Sequence, residues 1–221
     1  MAKSKIIKQL ANNEITVATA LNRLLIIASD IESDELYSWV NNELNGYERS
    51  DDLPDYRKID APYIKYSGIN GSFQVINQPL PIYYFSESTR ERIITVCIFD
   101  SIDNLCNIVE QTTNRERIRD LTYLAGEIME NTGIQCIKIE QVITIDVYRD
   151  ILNKIKTKLL KVLIALDKAY GCLDELDIDL SSKTEAEVKA VNNKIVNIID
   201  NSIHIGDGNK IDKSEIKHKG D

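Results

Sequence analysis

The stretch Thr144-Ile-Asp-Val-Tyr-Arg-Asp-Ile-Leu-Asn-Lys-Ile-Lys-Thr-Lys-Leu-Leu-Lys-Val-Leu-Ile-Ala-Leu-Asp-Lys-Ala-Tyr170-Gly171 decides the fold. Within it Tyr148, Ile151, Leu152, Ile155, Leu159, Val162, Leu163, Leu166 and Tyr170 recur at three- and four-residue spacing, which puts their side chains on one helix face. Gly171 supplies the stop. A helix this long needs neighbours along its length, so the spacing predicts the spine of a helical bundle. Lys154, Lys158, Lys161 and Lys168 share another face of the same helix. That face reads equally well as solvated or as attractive to an acidic partner or a phosphate backbone.

Upstream, the first fifty residues predict three helices in an antiparallel bundle. Ser4 caps a short one with Ile6, Ile7 and Leu10, and Asn13 caps one that buries Leu21, Leu24, Leu25 and Ala28. The third starts at Ser33, carries Asp34 and Glu35 in its first turn, buries Leu36, Trp39, Val40 and Leu44, and stops at Gly46. All four prolines, Pro54, Pro62, Pro79 and Pro81, then fall in one short span, where helix cannot persist. Residues 62–66 and 72–76 flank Gly68-Ile-Asn-Gly71, a hairpin signal.

Helix is expected again from a capping box at Ser88-Thr-Arg-Glu91 to about Glu110, with a break near Phe99, and from an Asn114 cap to Asn131. Residues 134–139 read as a short strand or an extended connector. Past the spine, Ser182-Lys-Thr-Glu185 opens a last helix that frays near Asn193. Val196, Ile198, Ile203, Ile205 and Ile211 then alternate between Asx and Gly corners, which reads as β structure.

Composition narrows the function. The 221 residues carry a net charge of −8, which disfavours a nucleic-acid binder, because that affinity rests on many Lys and Arg meeting phosphates. Neither a signal peptide nor a membrane span is visible, so a cytoplasmic location is expected. Cys97, Cys106, Cys136 and Cys172 lack metal-ligand spacing and read as buried thiols. The only histidines, His204 and His218, lie near the end, leaving the main domain without a histidine base. No phosphate-cradling glycine motif is present. The acidic runs Glu48, Asp51, Asp52, Asp55 and Asp174, Glu175, Asp177, Asp179 lack the spacing of a known metal site. No catalytic residue, metal or cofactor is indicated.

At Leu36-Tyr-Ser-Trp-Val-Asn-Asn-Glu-Leu-Asn-Gly-Tyr47, followed by Leu53-Pro-Asp-Tyr-Arg57, the chain resembles the AbiTii domain of bacterial abortive-infection systems, over residues 4 to about 175. The resemblance rests on Trp39, Glu43, Leu44, Gly46, Tyr47, Pro54, Tyr56 and Arg57. It implies an anti-phage role and carries no catalytic residue set.

The residues themselves give these positions a mainly structural account. Trp39 and Leu44 lie on the buried helix face, Gly46 is the stop and Pro54 sets a turn. Glu43 follows Trp39 by one turn, where an unpaired carboxylate is costly, and Arg57 is its natural bidentate partner. A polar network at the bundle surface is expected there. A partner or ligand site at Glu43, Tyr47, Tyr56 and Arg57, or catalysis by them, are the competing readings.

The expected architecture is mainly α: residues 1–176 as a helical domain with a β-hairpin near 60–80, residues 177–194 as linker and short helix, and residues 195–221 as a β tail. The expected function is an anti-phage scaffold that forms a homo-oligomer through Ile203, Ile205 and Ile211 and takes a protein partner in its defence system. The alternative is a histidine-independent, metal-dependent toxin nuclease.

Overall fold

The computed structural model describes residues 3–31, 33–61, 63–111, 116–176, 178, 180 and 183–200. The first three helices are α1 (Lys5–Ala11), α2 (Val17–Asp30) and α3 (Asp34–Asn45). α3 begins where Ser33 accepts a hydrogen bond from the Leu36 amide, and ends at Gly46. α2 is capped by Thr16 rather than Asn13, because the Thr16 hydroxyl reaches the Thr19 amide while Asn13 turns the chain at φ 59°.

The proline-rich span forms β1 (Lys58–Asp60) and the hairpin β2 (Ile64–Asn70) and β3 (Phe73–Pro79). Both hairpin strands outrun their expected ends because only Gly71, at φ 61°, makes the turn. Gly68 lies inside β2 instead. A Cβ there would come within 2.0 Å of the Gln135 carbonyl, so only glycine allows the neighbouring strand this close.

The helical stretch expected at 88–110 does break around Phe99, as expected, but the interruption takes in residues 95–101 and includes a strand. α4 (Glu87–Ile94) is capped by Ser86, β4 (Thr95–Cys97) follows, and α5 (Ile102–Gln111) completes the stretch. The β-branched run Ile93-Ile94-Thr95-Val96 favours extension, and β1 gives it a partner through Ile59↔Val96. The expected helix from Asn114 is corrected too: β5 (Glu116–Asp120) precedes the shorter α6 (Ala125–Thr132). Residues 134–139 belong to a ten-residue strand, β6 (Gln135–Thr144), which runs straight into α7 (Ile145–Tyr170). α8 (Glu185–Ile199) closes the described chain, opened by a capping box of Thr184 and Glu187 rather than Ser182 and Glu185.

The fold is therefore mixed α/β, not the expected helical bundle with one hairpin and a β tail. One antiparallel sheet has the order β3-β2-β6-β5, and β1 pairs with β4 in a second. Residues 114 and 115 of the expected cap region, and Ile203, Ile205, Ile211, His204 and His218, lie outside the described residues. Residues 195–199, expected to begin the tail, are helical because Ile195 and Ile199, four apart, both bury against the body.

Two cores result. The larger is built on α7, where Ile155, Leu159, Val162 and Leu166 meet Leu21, Leu24, Ile27 and Val40; each such side chain contributes about 1.5–3 kcal/mol. The smaller sits under the four-stranded sheet, where Ile64, Tyr66 and Ile139 meet Ile93 of α4 and Ile128 of α6. Gln141, fully buried in β6, joins the two regions by donating from Nε2 to the carbonyls of Ala61 at 2.6 Å and Ile93 at 2.7 Å. None of the four cysteines is a buried thiol, for Cys97 and Cys172 are exposed and Cys106 and Cys136 half-buried. They fall at strand ends, loops and helix margins rather than on the apolar stripes.

Asp167, near the end of α7, ties down the start of the chain. Its carboxylate accepts from Lys3 Nζ at 2.8 Å, from the Ser4 amide at 3.1 Å and from Ser4 Oγ, which in turn accepts from the Leu173 amide at 3.0 Å. Ser4 thus stands at the α1 cap position but directs its side chain to α7. Burial pushes this carboxyl up, but the hydrogen bonds from Lys3 and Ser4 and the charge of Lys3 outweigh it and hold it below the ordinary aspartate value. A carboxyl depressed by folding contributes its full stabilisation above its unfolded pKa and loses it as pH falls through the folded one. Asp167→Asn should therefore cost about 1–3 kcal/mol near neutral pH, with the gap from wild type narrowing below about pH 4. Urea titrations across pH measure both, and a gap independent of pH would contradict the tether.

Candidate functional site

α3 carries Glu43 into the interior one turn beyond Trp39. Gly46, at φ 91°, then turns the chain so that the Tyr47 amide donates to the Phe99 carbonyl at 2.9 Å. Pro54 opens the short 3-10 turn Asp55–Arg57, which returns Tyr56 and Arg57 to Glu43. Arg57 Nη2 meets Glu43 Oε2 at 2.6 Å, and Arg57 Nε donates to Oε1 at 3.3 Å. The hydroxyls of Tyr47 and Tyr56 also donate to Oε1, at 2.8 and 2.6 Å. Trp39 Nε1 donates to the Tyr56 hydroxyl at 2.9 Å.

The remaining Arg57 nitrogen, Nη1, donates to the carbonyls of Ile98 at 3.0 Å and Asp100 at 2.8 Å. One guanidinium thereby fastens the end of α3 to the segment after β4, and it lies 4.7 Å from the Tyr47 ring centroid, a cation–π distance. The structure brings Glu43, Tyr47, Tyr56 and Arg57 into one cluster. It corrects their expected setting, since both side chains of the ion pair are 0% exposed rather than at the bundle surface. The two tyrosines and Trp39 are themselves buried around the pair.

Burial, then the Glu43 charge, pushes the Tyr47 and Tyr56 hydroxyls far above the ordinary phenol value, so both remain donors. Burial alone would lower the Arg57 guanidinium, but Glu43 and the tyrosines hold it above its ordinary value. The carboxylate accepts four hydrogen bonds, three on Oε1 and one on Oε2.

The other motif residues hold the cluster in place. Trp39 is buried, Leu44 is half-buried against the larger core, and Pro54 is half-buried ahead of the turn. In the acidic run beside them, Asp51 accepts from the Glu48 amide, and Asp52 and Asp55 lie 3.5 and 3.8 Å from Lys58. Asp177 and Asp179 of the second run lie outside the described residues.

Lys158 is the buried position that a solvated-face reading misses. It is only 7% exposed, and its ammonium donates to the last carbonyls of α8, Ile198 at 2.8 Å and Ile199 at 2.9 Å. A cation there satisfies orphan carbonyls and opposes the helix dipole. The sequence holds the signal, because Lys158 follows Ile155 by three and precedes Val162 by four, which sets it on the apolar stripe. Two hollows flank this contact. One of about 680 Å³ is lined by Tyr56, Lys154, Lys158 and Lys161, and one of about 330 Å³ by Trp39, Tyr47, Pro54 and Asp200.

The family model described as AbiTii matches residues 4–193, from the start of the chain well into α8. No curated protein and no solved structure matches.

Proposed function

From the premise that this chain belongs to the AbiTii family of abortive-infection, anti-phage proteins, we propose that it acts in that defence as an assembly scaffold rather than as an enzyme. The observation that carries this reading is the burial of the Glu43–Arg57 pair within hydrogen bonds to Tyr47, Tyr56, Ile98 and Asp100. The polar residues of the family motif are fully engaged in holding α3, the 47–57 loop and the segment after β4 together, which suits a rigid body made to be presented to partners.

The scaffold assembles through residues beyond Asp200. Lys158 pins the end of α8 to α7, which fixes the position of the last described residues. The segment that follows lies beyond the family match and carries Ile203, Ile205 and Ile211 among polar residues. Truncation after Asp200 should convert an oligomer to a monomer by light scattering while leaving the helical circular dichroism signal intact. An unchanged oligomer mass would overturn this part of the reading.

A nuclease toxin is the second reading, favoured by one observation: Asp55 and Asp150 line the larger hollow together with three lysines. Among the described residues no group of three or more His, Cys, Asp and Glu could hold a metal ion. EDTA-sensitive cleavage of a nucleic acid by the purified chain would favour the nuclease over the scaffold. Helices of the described chain include none long and apolar enough to cross a membrane.

A further inference from the structure

We propose that the larger hollow, between the Asp55–Arg57 turn, α7 and the end of α8, is a binding site for a nucleoside phosphate. Its volume of about 680 Å³ falls in the range of small-molecule sites, roughly 300–1,000 Å³. The inference goes beyond the scaffold reading and does not depend on the residues after Asp200.

Charge is the first argument. In a chain with net charge −8, Lys154, Lys158 and Lys161 stand on one wall at helical spacings of four and three. Lys154 and Lys161 are exposed at the rim, and among the described residues neither is in an ion pair. Lys158 lies below them, held on the α8 carbonyls with its ammonium 5.3 Å from the Tyr56 ring centroid. Burial, and then the charge of Lys161, pushes this ammonium below the ordinary lysine value. An anion between the rim lysines relieves that repulsion. Phosphate fits as a multiply charged group able to accept from both at once.

The rest of the lining selects what the phosphate is attached to. Thr157 and Asn197 offer neutral hydrogen-bonding groups, and Asp150 accepts from hydroxyl or amino donors. Ile198 and Tyr56 supply an apolar side. Phosphate, hydroxyl-bearing sugar and a flat, partly apolar base are the matching set. A polynucleotide is disfavoured by the chain's net charge of −8.

The single tryptophan gives the readout. Trp39 donates to the hydroxyl of Tyr56, whose side chain lines the hollow, so occupancy should alter its emission. The full-length chain is titrated with ADP, ribose 5-phosphate and inorganic phosphate, followed by Trp39 fluorescence and calorimetry. ADP should bind saturably and at least tenfold more tightly than either of the others. Lys154→Ala with Lys161→Ala should weaken ADP at least tenfold with the circular dichroism spectrum unchanged, while Lys168→Ala, on the same helix but outside the hollow, should bind as wild type. Any of four results overturns the proposal: no saturable ADP binding at millimolar concentration, equal binding of ribose 5-phosphate, undiminished binding by the folded double variant, or tighter binding of a single-stranded oligonucleotide through the same lysines.

Discussion

Glu43→Ala should lower the free energy of unfolding by about 3–5 kcal/mol, the usual effect of removing one partner of a fully buried ion pair. Arg57 would keep its charge in the interior with only the carbonyls of Ile98 and Asp100 to receive it, while the Tyr47 hydroxyl lost its acceptor. The Tyr56 hydroxyl would lose its acceptor too, although Trp39 would still donate to its oxygen. The size of the effect follows from burial: with neither side chain exposed, water cannot replace the lost carboxylate without opening the joint between α3 and the segment after β4. In urea the midpoint should fall with little change in slope. A loss below about 1 kcal/mol would place the pair in the class of surface salt bridges.

Gly46→Ala should cost about 2–4 kcal/mol from two separate causes. A φ of 91° is a backbone conformation that a side chain resists, at roughly 1–3 kcal/mol. The new Cβ would also meet the Phe99 carbonyl at 2.9 Å, and that carbonyl is the acceptor for the Tyr47 amide. Moving it apart weakens a hydrogen bond worth about 1 kcal/mol and displaces the segment whose carbonyls bind Arg57. Gly46→Ala and Glu43→Ala should therefore be less than additive, because both loosen the same joint. Additive losses in the double variant would mean that Gly46 and the ion pair act independently.

The parts of the fold legible in the sequence are those where one local signal is strong. α7 shows through its long apolar stripe, and α3 through Ser33 at one end and Gly46 at the other. Glu43 and Arg57 could be paired on paper because a carboxylate on an inward face demands a counter-charge. What stayed hidden needed neighbours distant in sequence. Residues 116–120 read as the start of a helix until β6 pairs with them through Ile118↔Val142, and β6 itself is fixed by strands on both sides. The depth of the Glu43–Arg57 pair was equally hidden, since it depends on the Tyr47 and Tyr56 rings and on the chain after β4 closing over it. Lys158 was masked by its own chemistry, because a lysine in a row of lysines suggests solvent until the end of α8 supplies its acceptors.

If the motif cluster is a structural joint rather than a working site, removing a hydroxyl from it should cost stability and not protection. Tyr47→Phe and Tyr56→Phe each keep the ring and delete one donor to Glu43, at about 1 kcal/mol apiece. The decisive measurement is phage plating efficiency on cells expressing either variant, with the folded amount of protein measured alongside. Protection equal to wild type at equal folded protein is the predicted result; a folded, equally abundant variant that no longer protects would contradict the structural account of the cluster.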